Sequence, residues 1–452
     1  MSRYLFLGCC LLLLWGCENQ SQTTSPSTQE KPPTAAIAPS KATVKLLHDT
    51  LVPHKFELPT EALQVWRKYQ TLKPALVLFS AHPFLQPLDP AQRKDVENLI
   101  ASGKDDQFYL RGSQARSNPA LTPLQPLSAA IDSGLVSEVV WFFPTREKLD
   151  DFSADNLQQH MRKAGFFTAE EKPDLKLLKK GVIGGTVRGI PLRVIHPLAA
   201  LPKLQKPTLV HVDLSYFQGL FKNEVATPVY NLLHETALTL RDANFDTLAV
   251  SLSYSTEGGP LSLATRFLID DLAQMLEKPE LLSGDMPDQW RYQSDALYTK
   301  EMYQETKSKE LIADAAKKYP DDPALLYANM QRLLQQGKND QGFKLLDRIV
   351  ALDRGYAEEY LALAETGIDK GWFDQTLTLL DKAQAVHPDD PFIQLFKVEV
   401  LIKAKRGKEA LPILKGLQRL NWSPIYYPQM QQQLKNRIEA IQKGKNQSAH
   451  AG

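Results

Sequence analysis

Cysteine is almost missing from this chain: Cys9, Cys10 and Cys17 all fall within the first 17 residues, and nothing downstream carries a thiol. A disulfide framework, a cysteine-based zinc site and thiol catalysis are thereby excluded from the body of the protein. Charge of one sign is missing too. Lys and Arg total 53 against 52 for Asp and Glu, which gives no electrostatic footing for nucleic acid or for an anionic surface. The one sustained apolar run, Tyr4 to Trp15, is too short to span a membrane as a mature helix. No His-Glu-x-x-His helix occurs. Gly184-Gly185-Thr186-Val187-Arg188-Gly189 lacks the Lys-Ser/Thr ending of a phosphate loop and reads as a hairpin turn between two strands. Ser251, Ser253 and Ser255 alternate along a strand end without the glycine elbow that activates a serine nucleophile. The isolated His160, His196 and His234 read as structural. What is present is ordinary soluble composition, 43% hydrophobic and 23% charged over 452 residues, enough for two or three domains.

Arg3, the following apolar run, and Gly16 directly before Cys17 form a secretory signal over 1–17. Leu13-Leu14-Trp15-Gly16-Cys17 resembles a bacterial lipobox, in which the cysteine receives the lipid and becomes the mature N-terminus. An ordinary signal with an incidental cysteine is the alternative. The resemblance implies a palmitate-bearing lipoprotein anchored at Cys17. Glu18, standing where aspartate signals inner-membrane retention, implies the outer membrane with the body facing the periplasm. Residues 18–43, rich in Ser, Thr, Gln, Pro and Ala, read as a disordered tether.

The C-terminal third repeats itself every 34 residues. Pro323, Ala357 and Pro391 open equivalent helices, and Gly337 and Gly371 close the first two. Gly342, Thr376 and Ala410 supply a small residue where two helices cross, and Leu346, Leu380 and Leu414 fill the groove beside it. These columns resemble the tetratricopeptide repeat, over residues 289–442, with a preceding helix near 308–319 whose Ile312 and Ala315 keep register. Leu326, Tyr360 and Gln394 occupy the family's tryptophan column, a departure from its pattern. Met430, Leu434, Ile438 and Ile441 mark a capping helix, and 443–452 a polar tail. Stacked repeats imply a concave surface for a protein partner. Tyr327, Tyr360, Trp372, Phe373 and Phe392 are candidates for that surface, but at helical spacing aromatics more often read as core.

Between residues 44 and 285, short apolar runs alternate with amphipathic helices. The reading gives strands at 75–79, 138–143, 192–195, 208–212 and 247–252, and helices near 60–71, 90–101, 154–163, 228–241 and 261–276. This pattern predicts a three-layer α/β domain with a mostly parallel sheet, whose ligand site lies beyond the carboxyl ends of the strands. The segments there are Ser80-Ala81-His82-Pro83-Phe84-Leu85, Val139-Val140-Trp141-Phe142-Phe143-Pro144, His211-Val212-Asp213-Leu214-Ser215-Tyr216-Phe217 and Ser253 to Gly259. The first three resemble, in order and spacing, the motifs of an uncharacterised family of arginase-like and deacetylase-like fold. That family carries Asp-Ser-His-Pro-Asp-Leu, Val-Ile-Trp-Phe-x-Pro and Asp-Ile-Asp-Leu-Asp-Phe-Phe.

In the arginase-like pattern, strand-end carboxylates and histidines hold two divalent metals that make hydroxide from water. Here Ser80, Phe84, His211 and Ser215 stand where the resemblance expects carboxylates, and Asp213 alone is kept. Too little negative charge is left for a dinuclear centre. His54, His82, His211 and Asp213, with Glu257 as a possible fifth donor, are the candidates for a single zinc or similar divalent ion. The other reading is a metal-free remnant pocket with no cofactor. The expectation is therefore a lipid-anchored cell-envelope adaptor, a pseudoenzyme whose repeats bind a protein partner. A metal-dependent hydrolase of amides or amidines is the alternative.

Overall fold

The computed structural model describes residues 42–168, 170–171, 173–199, 201–258 and 261–444. Cys17, the rest of the expected signal and nearly all of the expected tether and polar tail lie outside the described residues.

Nine strands make one mixed sheet among these residues: β1 (Val44–Lys45), β2 (His54–Phe56), β3 (Ala75–Phe79), β4 (Glu138–Phe142), β5 (Lys176–Lys179), β6 (Val182–Val187), β7 (Ile190–Ile195), β8 (Thr208–Asp213) and β9 (Asp246–Ser253). The order is β1-β9-β8-β3-β4-β7-β6-β5, with β2 also paired to β9. Strands β9, β8, β3, β4 and β7 are mutually parallel, while β5 and β6 add antiparallel strands at one edge and β1 an antiparallel one at the other. All five residues of β3 are buried, the signature of a central strand covered on both faces. Leu76, Leu78 and Trp141 face one apolar cluster, and the alternate Val77, Phe79 and Val140 face another.

Helices α1 (Pro90–Ala101), α2 (Pro126–Asp132) and α3 (Ala154–Lys163) cover the first face. Helices α4 (Ser215–Leu220), α5 (Val229–Asp242) and α6 (Phe267–Glu277) cover the second. The helix starts are written locally. Asp89 accepts from the Ala91 amide at 2.8 Å ahead of Pro90, and Ser153 accepts from Asn156 at 3.2 Å.

Three expectations change. The helix expected near 261–276 begins only at Phe267, after a 3-10 turn over Leu263–Thr265. The helix expected near 60–71 is broken into Pro59–Ala62, Leu63–Trp66 and Arg67–Leu72, the outer two being 3-10 turns. No residue of Arg67–Leu72 is buried, so packing does not hold that end to α geometry. The glycine-rich hairpin turns only at Arg188 and Gly189, both at positive φ. Gly184 and Gly185 lie inside β6, where a Cβ on Gly185 would sit 2.0 Å from the Asp174 carbonyl oxygen.

From Asp288 onward the described residues form helices and turns only: α7 (Asp288–Glu301), α8 (Glu305–Lys318), α9 (Pro323–Gln335), α10 (Asn339–Leu352), α11 (Glu358–Asp369), α12 (Phe373–Val386), α13 (Pro391–Lys403), α14 (Gly407–Gln418) and α15 (Met430–Gln442). The recurring columns behave alike. Leu346, Leu380, Leu414, Thr376 and Ala410 are completely buried, and a Cβ on Gly342 would meet Leu334 at 2.5 Å. Gly337 and Gly371 take φ +73°, and Lys405, in the same column of the next repeat, takes φ 62° without being glycine. Tyr327 and Tyr360 are core, as read, but Trp372 is 45% exposed.

The helices and the sheet belong to one compact unit that begins at Ala42. Trp290 of α7 stacks on Tyr230 inside the second cluster. Beyond it, one turn from each successive helix pair docks on the α/β layers. Asp353 accepts from Arg266, His387 meets the Tyr109 hydroxyl at 3.3 Å, and Ser423 donates its amide to Ser117 at 2.9 Å. Asp353 and His387 are one 34-residue period apart.

Candidate functional site

Strand order reverses between β3 and β8, because β4 and β7 lie to one side of β3 while β8 and β9 lie to the other. A crevice beyond the carboxyl ends of two strands forms at such a reversal. The loop after β3 and the start of α4 meet there, and the Ala81 amide donates to the Ser215 hydroxyl at 3.1 Å.

Register arranges the polar residues in two rows. His54, Ser251 and His211 are paired across β2, β9 and β8, and two residues on, Phe56, Ser253 and Asp213 are paired likewise. Both rows point to one face. His211 is wholly buried between the two serines. Its Nδ1 lies 2.9 Å from Ser251 Oγ and its Nε2 3.2 Å from Ser253 Oγ. Trp66 and Phe84 close edge-on around the imidazole, with ring centroids at 5.7 and 5.9 Å. Burial pulls the His211 pKa down to about 4 against the opposing pull of Asp213, so the ring is neutral. Ser253 donates to Asp213 at 2.5 Å, which leaves His211 Nε2–H to donate to Ser253 and Nδ1 to accept from Ser251.

Asp213 is surrounded by donors from its own chain. Its Oδ1 accepts from the Ser215 amide at 3.0 Å and from the Ser215 hydroxyl, and its Oδ2 accepts from the Ser253 and Ser255 hydroxyls. These four contacts match the roughly four lone-pair positions a carboxylate offers. Ser80 turns its hydroxyl onto the His82 carbonyl oxygen, and the Ser80 carbonyl receives Trp141 Nε1–H at 2.8 Å. Of the positions that the arginase-like resemblance assigns to carboxylates, Ser80 and Ser215 thus hold hydroxyls closing on neighbouring groups, Phe84 a phenyl ring and His211 an imidazole held by serines, and only Asp213 keeps its carboxylate.

The remaining candidates lie in different places. His82 sits at the mouth of the crevice against Phe166; burial lowers its pKa, partly offset by Asp213. His54 is separated from His211 by Ser251 and faces Lys68 and Asp105. Glu257 turns away from Asp213 altogether. It pairs with Arg116 at 2.7 Å, both nearly inaccessible, beside Tyr109 and His387. Among the described residues no three His, Cys, Asp or Glu side chains gather as a metal-binding group.

A second arrangement, invisible to motif reading, joins the two halves. Arg266 has no exposed surface. It donates to both Glu57 oxygens at 2.8 and 2.9 Å, to Asp353 at 2.9 to 3.1 Å and to Thr256 at 2.7 Å, while its guanidinium lies 3.9 Å above the Tyr254 ring. Near it a cleft of about 570 Å³ opens between residues 55–61 and 106–110 of the α/β layers and the turns at Arg354 and 385–389 of the helical region. Its volume falls within the range of small-ligand sites.

No protein-family model, curated protein or solved structure matches the chain.

Proposed function

We propose that the protein is a lipid-anchored adaptor of the cell envelope, built from a non-catalytic arginase-like α/β domain and a tetratricopeptide-type helical array that binds a protein partner. The observation that carries this reading is the state of Asp213. A metal-dependent hydrolase needs that carboxylate to offer lone pairs to a cation, and here Ser215, Ser253 and Ser255 take them. His211, the neighbouring candidate ligand, has both ring nitrogens engaged by serines and both flanks packed by aromatics. The residues present therefore do not fit a metal centre.

Support for a binding role comes from the helical region. Its small and large columns pack with the close crossings that a tetratricopeptide-type array requires. Its docked turns hold the array rigidly against the α/β layers, a preorganised surface that orders little on binding. The lipobox reading of Leu13 to Cys17 supplies the anchor.

The test uses the full chain in its own membranes. A photo-crosslinking residue in place of exposed Trp372 is expected to yield one discrete protein adduct, and Cys17→Ala to abolish palmitate labelling. Stoichiometric metal in the purified protein, together with amide or amidine turnover lost in His211→Gln, would overturn the reading.

A further inference from the structure

We propose that the cleft between the α/β layers and the helical turns is where the partner is held, and that it takes a basic segment of an extended polypeptide. This rests on the adaptor reading and names its site and chemistry.

Charge is unbalanced within this one cavity. Of the acidic and basic groups lining it, Lys55 is engaged by Asp270 at 2.8 Å and Glu57 by Arg266. Glu61, Asp106 and Asp389 have no cationic partner among the described residues, and Arg354 alone opposes them. The carboxyls of Asp106 and Asp389 outnumber the guanidinium of Arg354 even before Glu61 loses its proton, which leaves the cleft acidic on a protein whose overall charge is +1. They come from both walls: Glu61 and Asp106 from the α/β layers, Asp389 from the turn after α12. A ligand bearing cations along its length satisfies both sides at once. Phe56 and Tyr109 add ring surface between them, suited to the aliphatic stems of Lys and Arg.

Glu61 reports the unmet demand. One of its oxygens accepts the Glu57 and Leu58 amides at 3.1 and 2.9 Å. Burial, with Glu57 and Glu257 adding to it, nonetheless pushes its carboxyl up to about 7. A bound ammonium or guanidinium would hold that group ionised. The cleft also explains why the helical turns are fixed in place: both walls must keep their spacing for one ligand to reach both.

The experiment measures binding of a blocked hexapeptide, Ala-Lys-Ala-Arg-Ala-Ala, to the full chain by calorimetry, against counterparts with Gln or Glu in place of the basic residues. The basic peptide is expected to bind at least about tenfold more tightly than either. An Asp106→Asn, Asp389→Asn double variant, exposed at both positions and outside the fold's buried pairs, weakens it by about three- to tenfold. A control, Asp155→Asn with Asp285→Asn, exposed and away from the cleft, leaves affinity unchanged. Equal affinity for the three peptides, no saturation by the basic one, or equal loss in the control would overturn the proposal. If the crosslinked partner is captured equally by the Asp106/Asp389 variant, the cleft assignment fails and the adaptor reading stands. If peptide discrimination holds while no partner is captured, the adaptor reading fails and the cleft stands.

Discussion

Replacing Arg266 with methionine keeps most of the side-chain volume and removes the one cation between Glu57 and Asp353. Those carboxylates retain side-chain exposures of only 17% and 19%, and without the guanidinium each is left facing the other in a site too dry to screen them. Breaking a buried pair in this way costs about 3–5 kcal/mol. The partial exposure of both acids places the expected loss at the lower end, about 3 kcal/mol. The loss should have a particular shape. Arg266 spans the sheet side and the first helical turn that docks on it, so urea unfolding should change from one transition to two, the helical region leaving first. Circular dichroism at 222 nm follows the loss of helix, and fluorescence of the buried Trp66 and Trp141, read in a background with Trp15, Trp290, Trp372 and Trp422 changed to phenylalanine, follows the α/β layers. A triple variant, Arg266→Met with Glu57→Gln and Asp353→Asn, removes the stranded charges and should recover at least half of the loss. A single-variant loss below about 1 kcal/mol, or complete rescue by Arg266→Lys, which cannot reproduce the fork to two carboxylates, would refute the reasoning.

Acid titration should expose two opposed groups. His211 is depressed from 6.5 to about 4 by burial, so the folded state binds fewer protons than the unfolded one in that window and stability falls as pH drops, by about 3 kcal/mol in all. Glu61 is raised from 4.5 to about 7 by burial, so between those values the folded state binds more protons and stability falls as pH rises. His211→Gln should therefore leave stability increasing on acidification from pH 7 to 5, and Glu61→Gln should leave it decreasing; urea midpoints that move in the same direction for both variants would contradict the assignment. Lys405, at φ 62° in the column where Gly337 and Gly371 stand, carries a steric penalty that glycine relieves, so Lys405→Gly should raise stability by about 0.5–1 kcal/mol in thermal unfolding, and no change would show that the left-handed turn is not strained.

Much of the architecture is legible from local sequence. The apolar run Ala75–Phe79 becomes the central strand, and Asp-Pro pairs at 322–323 and 390–391 become capped helix starts, because each depends on neighbours a few residues away. The edge strand Lys176–Lys179 escapes the reading because none of its residues is buried and its pairing with β6 contains a bulge. In the strand-end cluster, spacing brings His211 and Asp213 to one face, but sequence carries no sign that Ser251, Ser253 and Ser255 aim inward at them. Their alternation along and just past the end of β9 is legible, whereas their partners lie about 40 residues away. Glu257 is misplaced by proximity: it follows β9 closely, yet a buried Arg116, 141 residues distant, determines where it points. The Arg266 network is the extreme case, with Glu57 209 residues away and Asp353 87.

The regular spacing of the docked turns has a consequence for how this chain can vary. A free solenoid can gain or lose a unit and simply grow longer or shorter. Here Asp353, His387 and Ser423 each find a fixed address on a surface that does not repeat. Duplicating one helix pair would shift every later turn past its counterpart and leave Glu257 and Arg116 without the cover that His387 gives them. The α/β layers thus act as a template that counts the units, and tolerance to insertion should be confined to the outer bends of the helical hairpins.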